Sequence, residues 1–276
     1  MSQPLLTDRM ALALHRTRAH ARAHADRGAW FLHEEARDEI EERLKDVNRR
    51  FTAPAIVTGH PALWADLLPG ARVVPDAPVL DLELGAHDLV IHAMALHWAD
   101  DPVGQIIQCR RALRPDGLFL AAALGGETLQ ELRAALGEAE MEVAGGLSPR
   151  VAPMAEVRDM GALLQRAGLA LPVADRMPRR VRYGDMFRLM ADLRAMGETN
   201  ALAARHKVVP PRGLFPRAAR IYSDAFPDED GVAATFETIF LAGWAPSDDQ
   251  PKPLRPGSAQ ARLADALGVE ERGTDE

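Results

Sequence analysis

Three short apolar runs constrain the fold of this chain more than any other feature. Ala55 to Thr58, Asp88 to Met94 and Leu118 to Leu124 are dominated by apolar and β-branched residues without the alternation of a half-exposed strand. Runs of that length and composition read as strands buried on both faces. Amphipathic segments separate them. From Glu34 to Phe51, Ala36, Ile40, Leu44, Val47 and Phe51 recur at helical spacing, and Pro54 is expected to stop that helix. A second helix is expected from Pro61, at its first position, to Leu68, with Pro69-Gly70 closing it and a short strand following at Arg72 to Pro75. Asp101-Pro102 caps a third helix, which carries Val103, Ile106, Ile107 and Leu113 on one side. Arg114-Pro115-Asp116-Gly117 then reads as a turn into the third apolar run. Strands alternating with helices through short connections give a doubly wound α/β unit, a mostly parallel sheet covered on both faces.

The remaining chain extends this plan. Helices are expected near Thr128 to Val143, Ala155 to Gly168, Asp185 to Met196 and Pro216 to Phe226, with strands at Val173 to Val181 and Thr235 to Gly243. The expected organisation is an N-terminal helical arm over 1–50, an α/β domain over 51–245 with a helical insertion at about 127–230, and an irregular tail over 246–276. The last residues, from Glu270, are expected to be frayed.

Composition excludes several functions. The net charge is −7 and the arginines are scattered among acids, so nucleic acid is not an expected partner. A lone cysteine, Cys109, allows neither an internal disulfide nor a thiolate metal cluster and suits a reducing cytoplasm. No apolar run approaches the roughly 20 residues of a membrane-spanning helix. The first thirty residues carry Arg9, Arg16, Arg18, Arg22 and Arg27, a pattern shared by organelle-targeting segments and by solvated surface helices; a solvated, partly helical arm is the expectation. His20 and His24 share a helical side there, but no carboxylate completes a metal site, and none is expected.

Ligands of an open parallel sheet bind beyond the carboxyl ends of its strands. That directs attention to Gly59-His60, Asp76, His92 to Asp100 and Gly125 to Thr128. Leu96-His97-Trp98-Ala99-Asp100-Asp101, Leu113-Arg114-Pro115-Asp116-Gly117 and Gly125-Gly126-Glu127-Thr128-Leu129 together resemble the second half of a class I methyltransferase domain. The resemblance is to the subgroup holding the malonyl-carrier-protein methyltransferase of biotin synthesis and a complex I assembly factor that hydroxylates arginine. It runs on through Asp159 to Gly168, Phe187 to Asn200, Ala234 to Glu237 and Gly243-Trp244, favouring the assembly-factor branch. It implies a Rossmann-like fold, S-adenosylmethionine as cofactor, and a protein substrate or assembly partner, a respiratory complex I subunit among them.

The resemblance also exposes departures. The family carries a glycine-rich loop after its first strand, where backbone passes close under the cofactor. Here that stretch is Thr58-Gly59-His60-Pro61, and the His60 imidazole is expected to project into the space usually left free. Two strands, each followed by an acid, normally separate this loop from the segment at Asp88; here there is room for one, so the sheet is expected to lack a strand. Asp76 can serve as either acid, and its distance from Asp88 favours the adenine side over the ribose side.

The resemblance therefore implies Gly59, Asp76, His97 and Trp98 at the cofactor, and Glu127, Thr128, Glu198 and Asn200 at the substrate. Ordinary structural roles compete at each position. Gly59 and Asp76 can form turns, His97 and Trp98 can be core, Gly125 to Thr128 can be a helix cap, and Glu198 and Asn200 follow a helix end. Two functions follow. One is an S-adenosylmethionine-dependent methyltransferase-like protein acting on a protein or small acid; the other is a non-catalytic assembly or binding protein that keeps the fold without the cofactor.

Overall fold

The computed structural model describes residues 5–22 and 27–250. His24 and the residues from Glu270 onward, on which two expectations fell, lie outside them. Helices α1 (Arg9–Arg22) and α2 (Phe31–Val47) precede β1 (Pro54–Thr58), α3 (Pro61–Trp64), β2 (Arg72–Val74) and β3 (His87–Ala93). A 3-10 turn at Leu96–Trp98 leads to α4 (Pro102–Ala112), β4 (Leu113–Leu124), α5 (Gln130–Ala144) and α6 (Val157–Arg166). Then come β5 (Ala170–Tyr183), α7 (Met186–Ala195), α8 (Leu214–Ala225), β6 (Pro227–Asp228) and β7 (Gly231–Trp244).

The sheet runs β2-β1-β3-β4-β7-β5, with β6 paired to β7. Strands β2, β1, β3 and β4 are mutually parallel, in register at Val57↔Val74, Ile56↔Ile91 and Val90↔Phe119. β7 runs antiparallel to β4 and β5 and closes the far half. Side chains alternate between two cores, as a pleated sheet requires. Ile56, Ile91 and Leu120 pack with α2, α5 and α8, while Ala55, Val57, Val90 and Phe119 pack with Ile106 and Cys109 of α4 and Leu164 of α6.

The absent strand is the outer one. In doubly wound order the strand beside the first is the second, and β2 pairs directly with β1. Asp76 therefore lies just past the carboxyl end of the strand that flanks β1. Local chemistry explains the other differences. α2 ends before Pro54 because Asn48 adopts φ 49°, and its N–H bonds the Lys45 carbonyl. The expected turn at Arg114 to Gly117 is a bulge within β4, where pairing jumps from His87↔Leu113 to Leu89↔Leu118 and Asp116 takes φ 59°. α5 starts at Gln130 because Leu129 is left-handed, at φ 57°.

The largest correction concerns the amino-terminal arm. Leu12, Arg16 and Ala19 lie on one face of α1 and are buried, so this helix packs and is not a solvated arm. Its start is fixed by the Asp8 N–H donating to the Ala201 carbonyl at 2.7 Å and by a bridge between Thr7 and Leu202. No helix among the described residues is long and apolar enough to cross a membrane.

Candidate functional site

The carboxyl ends of β1, β2 and β3 form the floor of a cleft that α1 covers. Gly59 follows β1, and a methyl group there would overlap the guanidinium of Arg16, which lies directly on the glycine backbone. Arg16 donates from Nη1 to Asp76 Oδ1 at 2.7 Å, both side chains being almost fully buried. Arg9 adds a second contact, 3.3 Å from Asp76 Oδ2, and also donates to the Asp76 carbonyl. Nε and Nη2 of Arg16 are buried without partners among the described residues. What remains open beside Asp76 is a hollow of about 80 Å³ bounded by Arg9, Ala99, Asp100 and Gln105. The space above Gly59 is thus filled, but by Arg16 and not by His60 as the sequence suggested.

His60 turns away instead, into a cluster of rings. Its centroid lies 5.0 Å from that of His20, 4.8 Å from His33 and 5.1 Å from Trp30. Its Nδ1 is 3.1 Å from His20 Nε2, and Trp64 Nε1 donates to His33 Nδ1 at 3.2 Å. Burial lowers the pKa of His33 to about 4 and holds His20 and His60 below the usual imidazole range, so the cluster packs as neutral rings. Among the described residues no group of three or more His, Cys, Asp or Glu side chains is placed to hold a metal ion.

Beyond the cleft, the structure joins residues that the sequence keeps far apart. His97 Nε2 lies 3.2 Å from Glu198 Oε2, and Trp98 Nε1 donates to the same oxygen at 2.8 Å. His97 Nδ1 faces the Leu124 N–H at 3.4 Å, which fixes the ring with Nε2 toward Glu198. Burial alone would raise the Glu198 carboxyl; the attraction and hydrogen bond of His97, the field of Arg16 and the Trp98 donor outweigh it and hold the pKa at about 2. Glu198 is a fixed negative charge. It faces, together with Trp98, a chamber of about 280 Å³ otherwise walled mainly by apolar residues such as Leu124, Leu132, Met154 and Phe215.

The other residues assigned to substrate fare differently. Glu127 is exposed and does not line the chamber. Thr128 is buried as a strap, its hydroxyl donating to the Gly125 carbonyl at 2.7 Å and accepting the Glu237 N–H at 2.9 Å. The N–H groups of Gly125, Gly126, Thr128 and Leu129 all bond backbone carbonyls, so that turn offers them to no anion. Asn200 reaches the chamber wall, but its amide bonds the Pro149 carbonyl and its oxygen accepts the Leu202 N–H.

Sequence reasoning left Arg9, Arg16, His20 and His33 in or near a solvated arm with no place at the site. The i, i+4, i+7 spacing of Leu12, Arg16 and Ala19 was the available signal, and it reads as a packed face only once an arginine is allowed into it.

Comparison with known proteins follows the same lines. A methyltransferase-domain profile matches residues 51–121. The chain is 38 % identical over 210 residues to the mitochondrial arginine-hydroxylase NDUFAF5 of Danio rerio, covering 76 % of this chain and 65 % of that protein. It is 32 % identical over 181 residues to the malonyl-acyl-carrier-protein O-methyltransferase of Xylella fastidiosa, covering 66 % of this chain and 59 % of that one. The chain thus spans less than two thirds of the length of either relative. A solved 1,6-didemethyltoxoflavin-N1-methyltransferase of Burkholderia thailandensis is similar over 88 % of this chain and 93 % of its own, at 14 % identity and a TM-score of 0.42.

Proposed function

We propose, from the methyltransferase-domain match over residues 51–121 and the similarity to the arginine hydroxylase NDUFAF5, that this chain is an S-adenosylmethionine-dependent, methyltransferase-like protein of the class I family acting on a protein partner. The partner is a respiratory complex I subunit during assembly, and the target is an arginine side chain. The observation that carries this reading is the 38 % identity across about three quarters of the chain. Glu198 supports the choice of target. A carboxylate held ionised at the inner end of an apolar chamber attracts a guanidinium, and an Arg–carboxylate pair gains strength away from water. The proposed location is a reducing, cytoplasmic one; the relatives named mitochondrial make subcellular fractionation its check.

In the present arrangement the residues do not fit the cofactor. The Arg16 guanidinium lies on Gly59, Asp76 is taken by Arg16 and Arg9, and about 80 Å³ is well below the roughly 300 Å³ of an ordinary small-ligand site. The reading therefore requires α1 to leave the cleft before the cofactor enters. Withdrawal would uncover Gly59 and free the Asp76 carboxylate.

Isothermal calorimetry of the full chain with S-adenosylmethionine and its demethylated product tests this. Arg16→Ala, checked as folded by circular dichroism, is expected to bind with micromolar Kd, at least about tenfold more tightly than the native protein. If neither protein gives heat at millimolar ligand, the cofactor reading is wrong and a non-catalytic binding protein is left.

A further inference from the structure

The chamber behind Trp98 continues outward. A second hollow of about 260 Å³ lies between Arg133, Leu136, Leu147 and Val151, and a third of about 130 Å³ between Ala144, Leu147, Val208 and Val209. Arg150 borders all three; Leu136 and Val151 are shared by the first two, and Leu147 by the last two. They form one apolar trough running from Glu198 to the surface. At its outer end Leu147, Val208 and Val209 are 68 %, 73 % and 91 % exposed. A contiguous apolar surface of this kind, concave and open, marks an interaction site on a chain whose other large side chains are mostly packed.

Its charge is opposite to that of the whole chain. Arg133 spends its Nη2 on the carbonyls of Thr128 and Ala152 and is neutralised by no acid in those bonds. Arg194 lines the inner chamber and is exposed. Arg150 holds Glu140 at 2.6 Å, yet its Nε is buried with no partner among the described residues. With Arg150 paired to Glu140 and Glu198 confined to the inner end, the surplus positive charge along the trough comes from Arg133 and Arg194; in a protein of net charge −7 it favours acidic, apolar ligands. A small molecule would fill one hollow; three in succession under one arginine suit the consecutive side chains of a polypeptide.

We propose that this trough docks a segment of the protein partner in which bulky apolar side chains alternate with carboxylates. The inference rests on the reading that the substrate is a protein, and it assigns the sequence character that such a partner carries beside the modified residue.

The test uses the full chain and two dye-labelled peptides of about twelve residues, one of alternating Leu and Glu and one of alternating Leu and Lys. Fluorescence anisotropy is expected to show the Leu-Glu peptide binding at least tenfold more tightly than the Leu-Lys peptide. Leu147→Glu alters an exposed position and is expected to weaken the Leu-Glu peptide at least tenfold. Equal affinities, no saturable binding at millimolar peptide, or full affinity in Leu147→Glu would overturn the proposal. So would a dimer in sedimentation that Leu147→Glu dissolves, because the trough would then seat a second copy. Cofactor calorimetry on Leu147→Glu separates the two readings. Lost peptide binding in the native protein with cofactor binding intact removes only the docking site, and the reverse removes only the cofactor.

Discussion

Arg16 and Asp76 are the residue pair on which the state of the cleft turns. Both charges are out of water and only 2.7 Å apart, so neither can be removed without leaving the other uncompensated. Arg9, 30 % exposed and 3.3 Å from the second carboxylate oxygen, offsets part of the loss of Arg16. Nothing comparable offsets the loss of Asp76, since two nitrogens of Arg16 already lack partners among the described residues. Asp76→Asn is therefore expected to destabilise the protein by about 3 kcal/mol and Arg16→Met by somewhat less, with the double variant less destabilised than the sum by at least about 1 kcal/mol. Urea unfolding of the four proteins measures the cycle. Additivity within about 0.3 kcal/mol would mean that this pair does not seat α1. A reading from sequence alone, with Asp76 as an open cleft acid, leads instead to almost no effect of Asp76→Asn on stability.

At the scale of elements, Thr128 shows why some assignments moved. Its hydroxyl ties the turn before α5 to β7 from a fully buried position, so Thr128→Val removes two bonds and leaves the Glu237 N–H without its acceptor. The expected cost is about 1–3 kcal/mol in chemical unfolding, with peptide and cofactor affinities unchanged. A loss of affinity at unchanged stability would return Thr128 to the substrate site. The strands were legible because burial on both faces writes itself as continuous apolar sequence, which is why β1, β3 and β4 sit where Ile56, Ile91 and Leu120 suggested. The ends of elements were less so: Asn48 ends α2 through a left-handed backbone that a proline rule overlooks, and the four residues around Asp116 form a bulge with the composition of a turn. The site was legible in pieces. His97, Trp98 and Glu198 were each marked, but their meeting across 100 residues has no local signature, and neither does Arg16 reaching Asp76 across 60.

For the whole molecule, buried imidazoles link α1, α2 and the sheet and make stability depend on pH. His33 and His92, 2 % and 0 % exposed, each have a folded pKa lowered by burial to about 4 against 6.5 when free. The unfolded chain then binds more protons than the folded one between those values, so stability rises with pH from about 4 to 6.5 and is level above. At pH 5 each ring costs about 2 kcal/mol relative to pH 7. His60 and His20 shift in the same direction and steepen the fall, because burial and the neighbouring Arg16 oppose their charge. Glu198 acts on a lower window: its carboxyl, held at about 2 against 4.5, contributes stability that is complete above 4.5 and is lost as the pH falls toward 2. Guanidinium unfolding is therefore expected to lose at least about 4 kcal/mol between pH 7 and pH 5, and His92→Asn to recover about 2 kcal/mol of that difference. A profile flat to pH 5 would show these rings to be charged or hydrated in the folded state, and α1 would then rest on Arg16 and Asp76 without the neutral ring cluster beside them.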